Sequence, residues 1–287
     1  MRAYIPAYEL VVPRDVGEAL ALLAEGPGVW RPFAGGTDLM VLLEAGGLAH
    51  RKFFSVWGLE ELRGIEVAAD AVTLGALTTY AEVRRSEILR REFPMLVSAA
   101  RETGGVAIQN RGTLGGNVCN ASPAADSPPA LLAYGAQVEL VSGAGSRWVD
   151  YAEFHTGYRQ TAMRADELLA RVRVPRPRAG ARQFYRKVGT RRAQAISKVC
   201  FAGSLEADGS RVAHVRLALG SVAPTVVRCR RAEAALGGRA LDDAAVRDAV
   251  AELARDITPI DDLRSTARYR LRVAQNLLAE FLDLARR

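Results

Sequence analysis

The spacing of apolar residues changes several times along the chain, and each change marks an element. Val16, Ala19, Leu20 and Leu23 share one helical face behind Asp15, which with Glu18 forms a capping pattern. Gly26-Pro27 stops the run, so a helix is predicted over Val16–Glu25. A short strand ending near Phe33 leads through Gly35-Gly36 into a short helix, 38–45, that Thr37 caps and Gly46-Gly47 ends. Residues 52–57 read as a strand, and 65–77 as two strands around Ala69-Asp70. Thr79 with Glu82 opens a helix to about Leu89, and a second helix covers roughly 95–103. From Gly104-Gly105 to Asn120 the glycines at 112, 115 and 116 predict irregular chain. Ser127-Pro128-Pro129 starts a helix that reaches Tyr134, and 137–141 with 147–151 form a hairpin across Ser142-Gly143-Ala144-Gly145.

Residues 168–174 are the next strand. The segment 175–180, Pro-Arg-Pro-Arg-Ala-Gly, resists any regular element and sets a domain boundary, giving domains 1–176 (subdomains about 1–57 and 58–176) and 177–287. Beyond it, 195–206 and 212–219 pair antiparallel across Asp208-Gly209, and three helical segments follow at 230–236, 243–255 and 266–285. Strands followed by helices imply an α+β C-terminal domain.

Composition narrows the chemistry by exclusion. With 287 residues, 49% hydrophobic and 25% charged, the chain has ample material for a buried core and suits roughly two domains. No apolar run approaches the ~20 residues of a membrane-spanning helix, and Met1-Arg2-Ala3-Tyr4-Ile5-Pro6 lacks a signal-peptide stretch, so a cytoplasmic location is expected. Cys119, Cys200 and Cys229 form no Cys-x-x-Cys pair, which excludes an iron–sulfur cluster built from this chain alone. His50, His155 and His214 have no metal-ligand spacing. The net charge of +7 would suit nucleic acid, an acidic protein or an anionic cofactor, but aromatics are only 7% and no arginine cluster holds a stacking pair, which argues against nucleic acid.

Two glycine-rich segments carry the candidate chemistry. Ala34-Gly35-Gly36-Thr37-Asp38-Leu39 joins a strand to a helix and offers bare backbone N–H groups to a phosphate. By itself such a turn is as often only tight geometry, and it is neither Gly-x-Gly-x-x-Gly nor a P-loop. The stretch from Asn110 to Asp126, with Thr113-Leu114-Gly115-Gly116-Asn117 at its centre, adds small residues, a hydroxyl and an amide. Asp126 offers a carboxylate for ribose hydroxyls, or else a helix cap before Ser127-Pro128.

The two loops, in this order and separated by one α/β subdomain, resemble the FAD-binding medium subunit of the molybdenum hydroxylases, the family of xanthine dehydrogenase and aerobic carbon monoxide dehydrogenase. The resemblance covers the whole chain. It implies an α+β architecture: a two-subdomain FAD-binding fold of the vanillyl-alcohol-oxidase/PCMH type with a smaller C-terminal α+β domain over the flavin. It further implies that Phe33, Ala34, Gly35, Gly36, Thr37, Asp38 and Leu39 wrap the pyrophosphate, with Thr113, Gly116 and Asn117 closing from the other side. On the same basis, Cys119 and Asn120 stand beside the flavin by their backbone, Asp126 binds ribose or ribityl hydroxyls, Leu169 lies against the isoalloxazine and Lys187 sits near its pyrimidine end.

The resemblance also implies non-covalent FAD and no side-chain nucleophile or base. The molybdenum cofactor belongs to a large partner subunit and the [2Fe–2S] clusters to a small one, in a dimer of heterotrimers. The charged Thr190-Arg191-Arg192 segment is closer to the xanthine dehydrogenase pattern than to the aromatic one of some carbon monoxide dehydrogenases, and there is no cysteine-rich insertion of the hydroxybenzoyl-coenzyme A reductase kind. The rival reading is a self-sufficient flavin oxidase or reductase of the same fold. Against it, the first loop holds no histidine or cysteine that would anchor a flavin covalently.

Overall fold

The structure, a computed structural model, describes residues 7–191 and 194–286; the expectations for residues 1–6 and for Arg192 fall outside them. The first unit alternates strand and helix: β1 (Glu9–Val11), α1 (Val16–Glu25), β2 (Trp30–Phe33), α2 (Leu39–Glu44) and β3 (Lys52–Ser55). The strands form a parallel sheet in the order β1-β3-β2, as crossover helices require. Neighbouring residues of β3 point to opposite faces, so Phe54 packs with Ala19 and Leu23 of α1 while Phe53 packs with Leu43 of α2.

The second unit is larger. After one 3₁₀ turn come β4 (Ile65–Val67), β5 (Ala71–Gly75), α3 (Tyr80–Arg85), α4 (Glu87–Glu92), α5 (Pro94–Glu102), α6 (Val106–Arg111), α7 (Leu114–Cys119), α8 (Ser127–Tyr134), β6 (Gln137–Ser142), β7 (Gly145–Asp150), α9 (Tyr151–Phe154), the short pair β8 (His155–Gly157) and β9 (Gln160–Thr161), and β10 (Leu168–Pro175). Strands β4-β5-β10-β6-β7 form one antiparallel sheet with β10 at its centre. Val72, Leu74, Val138, Leu140 and Val172 bury its inner face against the helices.

The C-terminal unit is a four-stranded antiparallel sheet, β11 (Arg182–Val188), β12 (Val199–Asp208), β13 (Arg211–Gly220) and β14 (Val227–Arg228), followed by α10 (Arg230–Leu236), α11 (Asp243–Asp256) and α12 (Ala267–Arg286). Strand alternation divides its labour. Phe201, Leu205, Leu217 and Leu219 face the C-terminal helices, whereas Ala202 and Ala218 join the core of the second unit beneath α8. All eight residues of α8 are buried, so this helix is shared by both sides.

Three expectations need correction. The stretch after Gly104-Gly105 is not irregular but holds α6 and α7. Thr113 caps α7 by accepting from Gly116 N–H (3.1 Å), and Gly115 and Gly116 lie inside that helix. Thr37 does not cap α2: Asp38 occupies that position, with no side-chain cap hydrogen bond. The helix expected to run from Thr79 to Leu89 breaks at Ser86, which caps α4 anew. One strand escaped the pattern altogether, because β11 sets Gln183, Tyr185 and Lys187 toward one packed layer and Phe184 and Val188 toward the other, which leaves no polar face to alternate with.

Candidate functional site

The carboxyl ends of β2 and β3, the first turns of α2 and α7, and the start of β10 enclose a cleft of about 440 Å³. The two glycine segments meet in it backbone to backbone. A Cβ on Gly35 would lie 1.7 Å from the carbonyl oxygen of Arg111, so no side chain fits there. Gly36 has φ +75°, the left-handed region that glycine enters without strain, and a Cβ there would come 2.7 Å from the Phe33 ring. The second segment is tied to the strand exit before α3: Leu114 N–H donates to Thr78 O, Gly115 N–H to Ala76 O, and Tyr80 N–H to Gly112 O. A guanidinium reinforces the contact, since Arg111 stacks 3.8 Å from the centre of the Trp57 ring.

The resulting wall is rich in available donors. The backbone N–H groups of Gly35, Gly36, Thr37 and Asp38 find no acceptor among the described residues. Among the described lysines and arginines only Arg31 lines the cleft, so a diphosphate here would meet one full positive charge as well as the backbone. On the opposite wall Leu168 and Leu169 give an apolar surface. A β-bulge between Leu169 and Arg171 breaks the register with β6, and Ala170 O there accepts from Ala76 N–H (2.8 Å). Cys119 lines the cleft with its Sγ 3.7 Å from Met163 Sδ.

Two buried groups shape the rim. Glu167 accepts a two-pronged bond from Arg147 (2.7 and 2.9 Å) and another from Arg164 N–H (2.7 Å); the Arg147 fork holds its carboxyl below the ordinary range, against the opposing pull of burial. Tyr80 lines the cleft with its ring against Gly112 and its hydroxyl buried with no hydrogen-bond partner among the described residues, and burial pushes its pKa up. Arg31, Tyr80 and Glu167 are cleft residues that reading of the sequence missed. Only Arg31 carried a signal, as a cation three residues ahead of Ala34.

Behind the cleft the two domains are joined through a buried ion pair. Lys187 Nζ on β11 donates to Asp126 Oδ2 (2.6 Å) at the start of α8 and to Glu102 O (3.0 Å), while Ser197 Oγ donates to Asp126 Oδ1 (3.1 Å). Burial raises the Asp126 pKa and the Lys187 charge opposes the rise. Ser127, the next residue, donates to Asn117 Oδ1 and so links the pair to the cleft wall.

Residues 6–177 match the family model described as the FAD binding domain in molybdopterin dehydrogenase, and residues 183–285 match the CO dehydrogenase flavoprotein C-terminal domain. The chain belongs to the FAD-binding medium subunits of the molybdenum hydroxylases. It is 31% identical to the putative xanthine dehydrogenase FAD-binding subunit of Escherichia coli (strain K12), over 94% of this chain and 93% of that one. It is likewise 31% identical to the glyceraldehyde dehydrogenase medium chain of Sulfolobus acidocaldarius, over 96% of each. Among solved structures, the carbon monoxide dehydrogenase of Hydrogenophaga pseudoflava superposes with a TM-score of 0.95 at 30% identity, over 98% of each chain.

As a medium subunit the chain is a component of an oxidoreductase, an FAD-binding domain followed by the flavoprotein C-terminal domain. Among the described residues no helix is long and apolar enough to cross a membrane, and no group of three or more histidine, cysteine, aspartate or glutamate side chains is placed to hold a metal ion.

Of the positions expected to hold the cofactor, Ala34 to Leu39, Thr113, Gly116, Asn117, Cys119, Asn120 and Leu169 line the cleft. Phe33, Asp126 and Lys187 do not. Phe33 supports Gly36 from beneath and packs edge-on against Phe53, with ring centres 6.2 Å apart. Asp126 and Lys187 are instead each other's partners.

Proposed function

We propose that this chain is the flavin-bearing subunit of a multi-subunit molybdenum hydroxylase, in which bound FAD would accept electrons from [2Fe–2S] clusters of a small partner and pass them to NAD⁺, a quinone or dioxygen. The observation that supports this most is the mutual contact of the two glycine segments, which leaves the Gly35–Asp38 donors open along one wall. In this reading Ala34 to Leu39, with Arg31, hold the pyrophosphate, and Thr113, Gly116 and Asn117 close on it from the second subdomain. Leu169 provides an apolar seat for the ring, beside the backbone of Cys119 and Asn120. The chain contributes binding, orientation and electrostatics and no nucleophile or base.

Asp126 and Lys187 enter less directly. As they stand, each satisfies the other, and contact with ribityl hydroxyls or the pyrimidine ring would require the pair to open or shift toward Thr103, which follows Glu102 and lines the cleft. We place the functional division of the chain at 176/177, with both sides supporting one cleft.

Purified protein is expected to carry flavin absorption and to release intact FAD on denaturation. Protein that stays colourless and takes up no added FAD would overturn the reading. Co-purification with molybdenum-containing and [2Fe–2S] subunits, in a dimer of heterotrimers, is the expected result from the native host. Robust turnover of purine, aldehyde or carbon monoxide by the isolated chain would favour a self-sufficient flavoenzyme instead.

A further inference from the structure

A second cavity, of about 380 Å³, lies between the two domains at the far end of α8. The C-terminal sheet supplies its floor. Ser204 stands directly opposite Arg216, and Glu206 opposite His214, in the antiparallel register of β12 and β13. Side chains two residues apart on a strand share a face, so all four project from the face that α8 covers farther along the sheet. Arg176 and Arg178 of the interdomain segment and Arg228 of β14 complete the basic lining.

One cation in this cavity lacks a direct partner among the described residues. Arg176 is taken by two bonds to Glu92 (2.7 and 2.8 Å), Arg228 by two to Glu233 (2.9 and 3.1 Å), and Arg178 lies 3.5 Å from Glu206. Arg216 makes no hydrogen bond or ion pair among the described residues. It is nevertheless half-buried and held in place, because its guanidinium lies on the bare backbone of Gly135, where a Cβ would come 1.8 Å from Nη1. The nearby carbonyls of Leu131 and Leu132 at the end of α8 already accept from Ala136 and Gly135, so the charge is met without direct contact, by the carboxylates of Glu233, Glu206 and Asp150 and by the weak negative pole of a two-turn helix. Burial and the neighbouring Arg228 press the Arg216 pKa down, against the upward pull of Glu233, Glu206 and Asp150.

We propose that this cavity is a binding site for a phosphate group, held by the Arg216 guanidinium and the Ser204 hydroxyl. A guanidinium presents paired donors in the geometry an oxyanion accepts, and the facing hydroxyl adds a donor from another direction, which suits the several oxygens of a phosphate. The cavity exceeds the needs of a lone phosphate and has room for a small molecule that bears one. The site lies outside the cleft lining, and none of its residues belongs to the flavin site.

The test uses the flavin-loaded protein in chloride buffer, titrated by calorimetry with inorganic phosphate and, separately, with adenosine monophosphate. Saturable binding to the wild type that falls at least tenfold in Arg216→Gln, with the flavin spectrum unchanged, supports the proposal. Tighter binding of the nucleotide would identify an organic phosphate as the natural form, and equal affinities would identify the free ion. Absence of saturable binding of either probe to the wild type overturns the site, whether or not the variant folds. Equal binding by wild type and a folded Arg216→Gln does the same.

Discussion

The two ends of α8 face opposite problems. Just ahead of its first residue a buried aspartate and lysine neutralise each other 2.6 Å apart, next to a cleft whose wall is bare backbone. At its last turn a half-buried arginine has no acceptor among the described residues, in a cavity walled by side chains. The first arrangement is complete within the chain and holds the domains together. The second leaves one guanidinium without a direct contact, and is where an external group has most to offer. Backbone donors suit a ligand whose position is set by the path of the chain, whereas converging arginines can be assembled from residues far apart in sequence.

The comparison can be broken at its most closed point. Asp126→Asn leaves Lys187 buried without its counter-charge, and removal of one partner of such a pair costs about 3–5 kcal/mol. A chemical denaturation series is expected to show this loss, and Asp126→Asn combined with Lys187→Met is expected to lose much less than the two single changes summed. Simple additivity would mean that the pair is not coupled. Gly35→Val comes next, because its side chain collides with the Arg111 carbonyl. The overpacking should cost about 3 kcal/mol of stability, and the displaced wall is separately expected to lower FAD affinity roughly 100-fold, about 2.7 kcal/mol of binding, measurable by flavin fluorescence on reconstitution.

Arg31→Gln tests whether the cleft relies on charge as well as backbone. It is expected to weaken FAD about tenfold, near 1.4 kcal/mol, with little change in stability; unchanged affinity would leave the wall to N–H groups alone. The smallest effect is expected at the rim. Glu167 titrates below its unfolded value, so its stabilisation is fully present above the unfolded carboxylate range and is lost as pH falls through the lower, folded value. Thermal unfolding followed against pH should show an acid limb in the wild type that Glu167→Gln flattens. An unaltered limb would assign the acid sensitivity to other carboxylates.

What was legible in the sequence follows the same division. Helix caps are local, so Val16–Glu25 came out with its observed bounds, and Asp15 caps it as expected. The glycine segments were legible because each is continuous and its meaning lies in missing side chains. The conformation of the second was not, since glycines at 115 and 116 argue against a helix unless one knows that Ala76 leaves Gly115 no room for a Cβ. Strand β11 was hidden by polar residues that are satisfied across a domain boundary, with Tyr185 donating to Asp126 O and Gln183 Nε2 to Glu92 O. Tyr80, Glu167 and Arg216 reach their cavities through pairings that no local window contains.

The burial of α8 on every side bears on how the protein comes apart. Its apolar contacts extend to Ala202 and Ala218 of the C-terminal sheet and to the helices of the preceding unit, so neither part can leave without exposing it. A protease cut within 176–181 should therefore yield two fragments that stay associated and melt as one, and the connecting segment is a tether rather than a hinge.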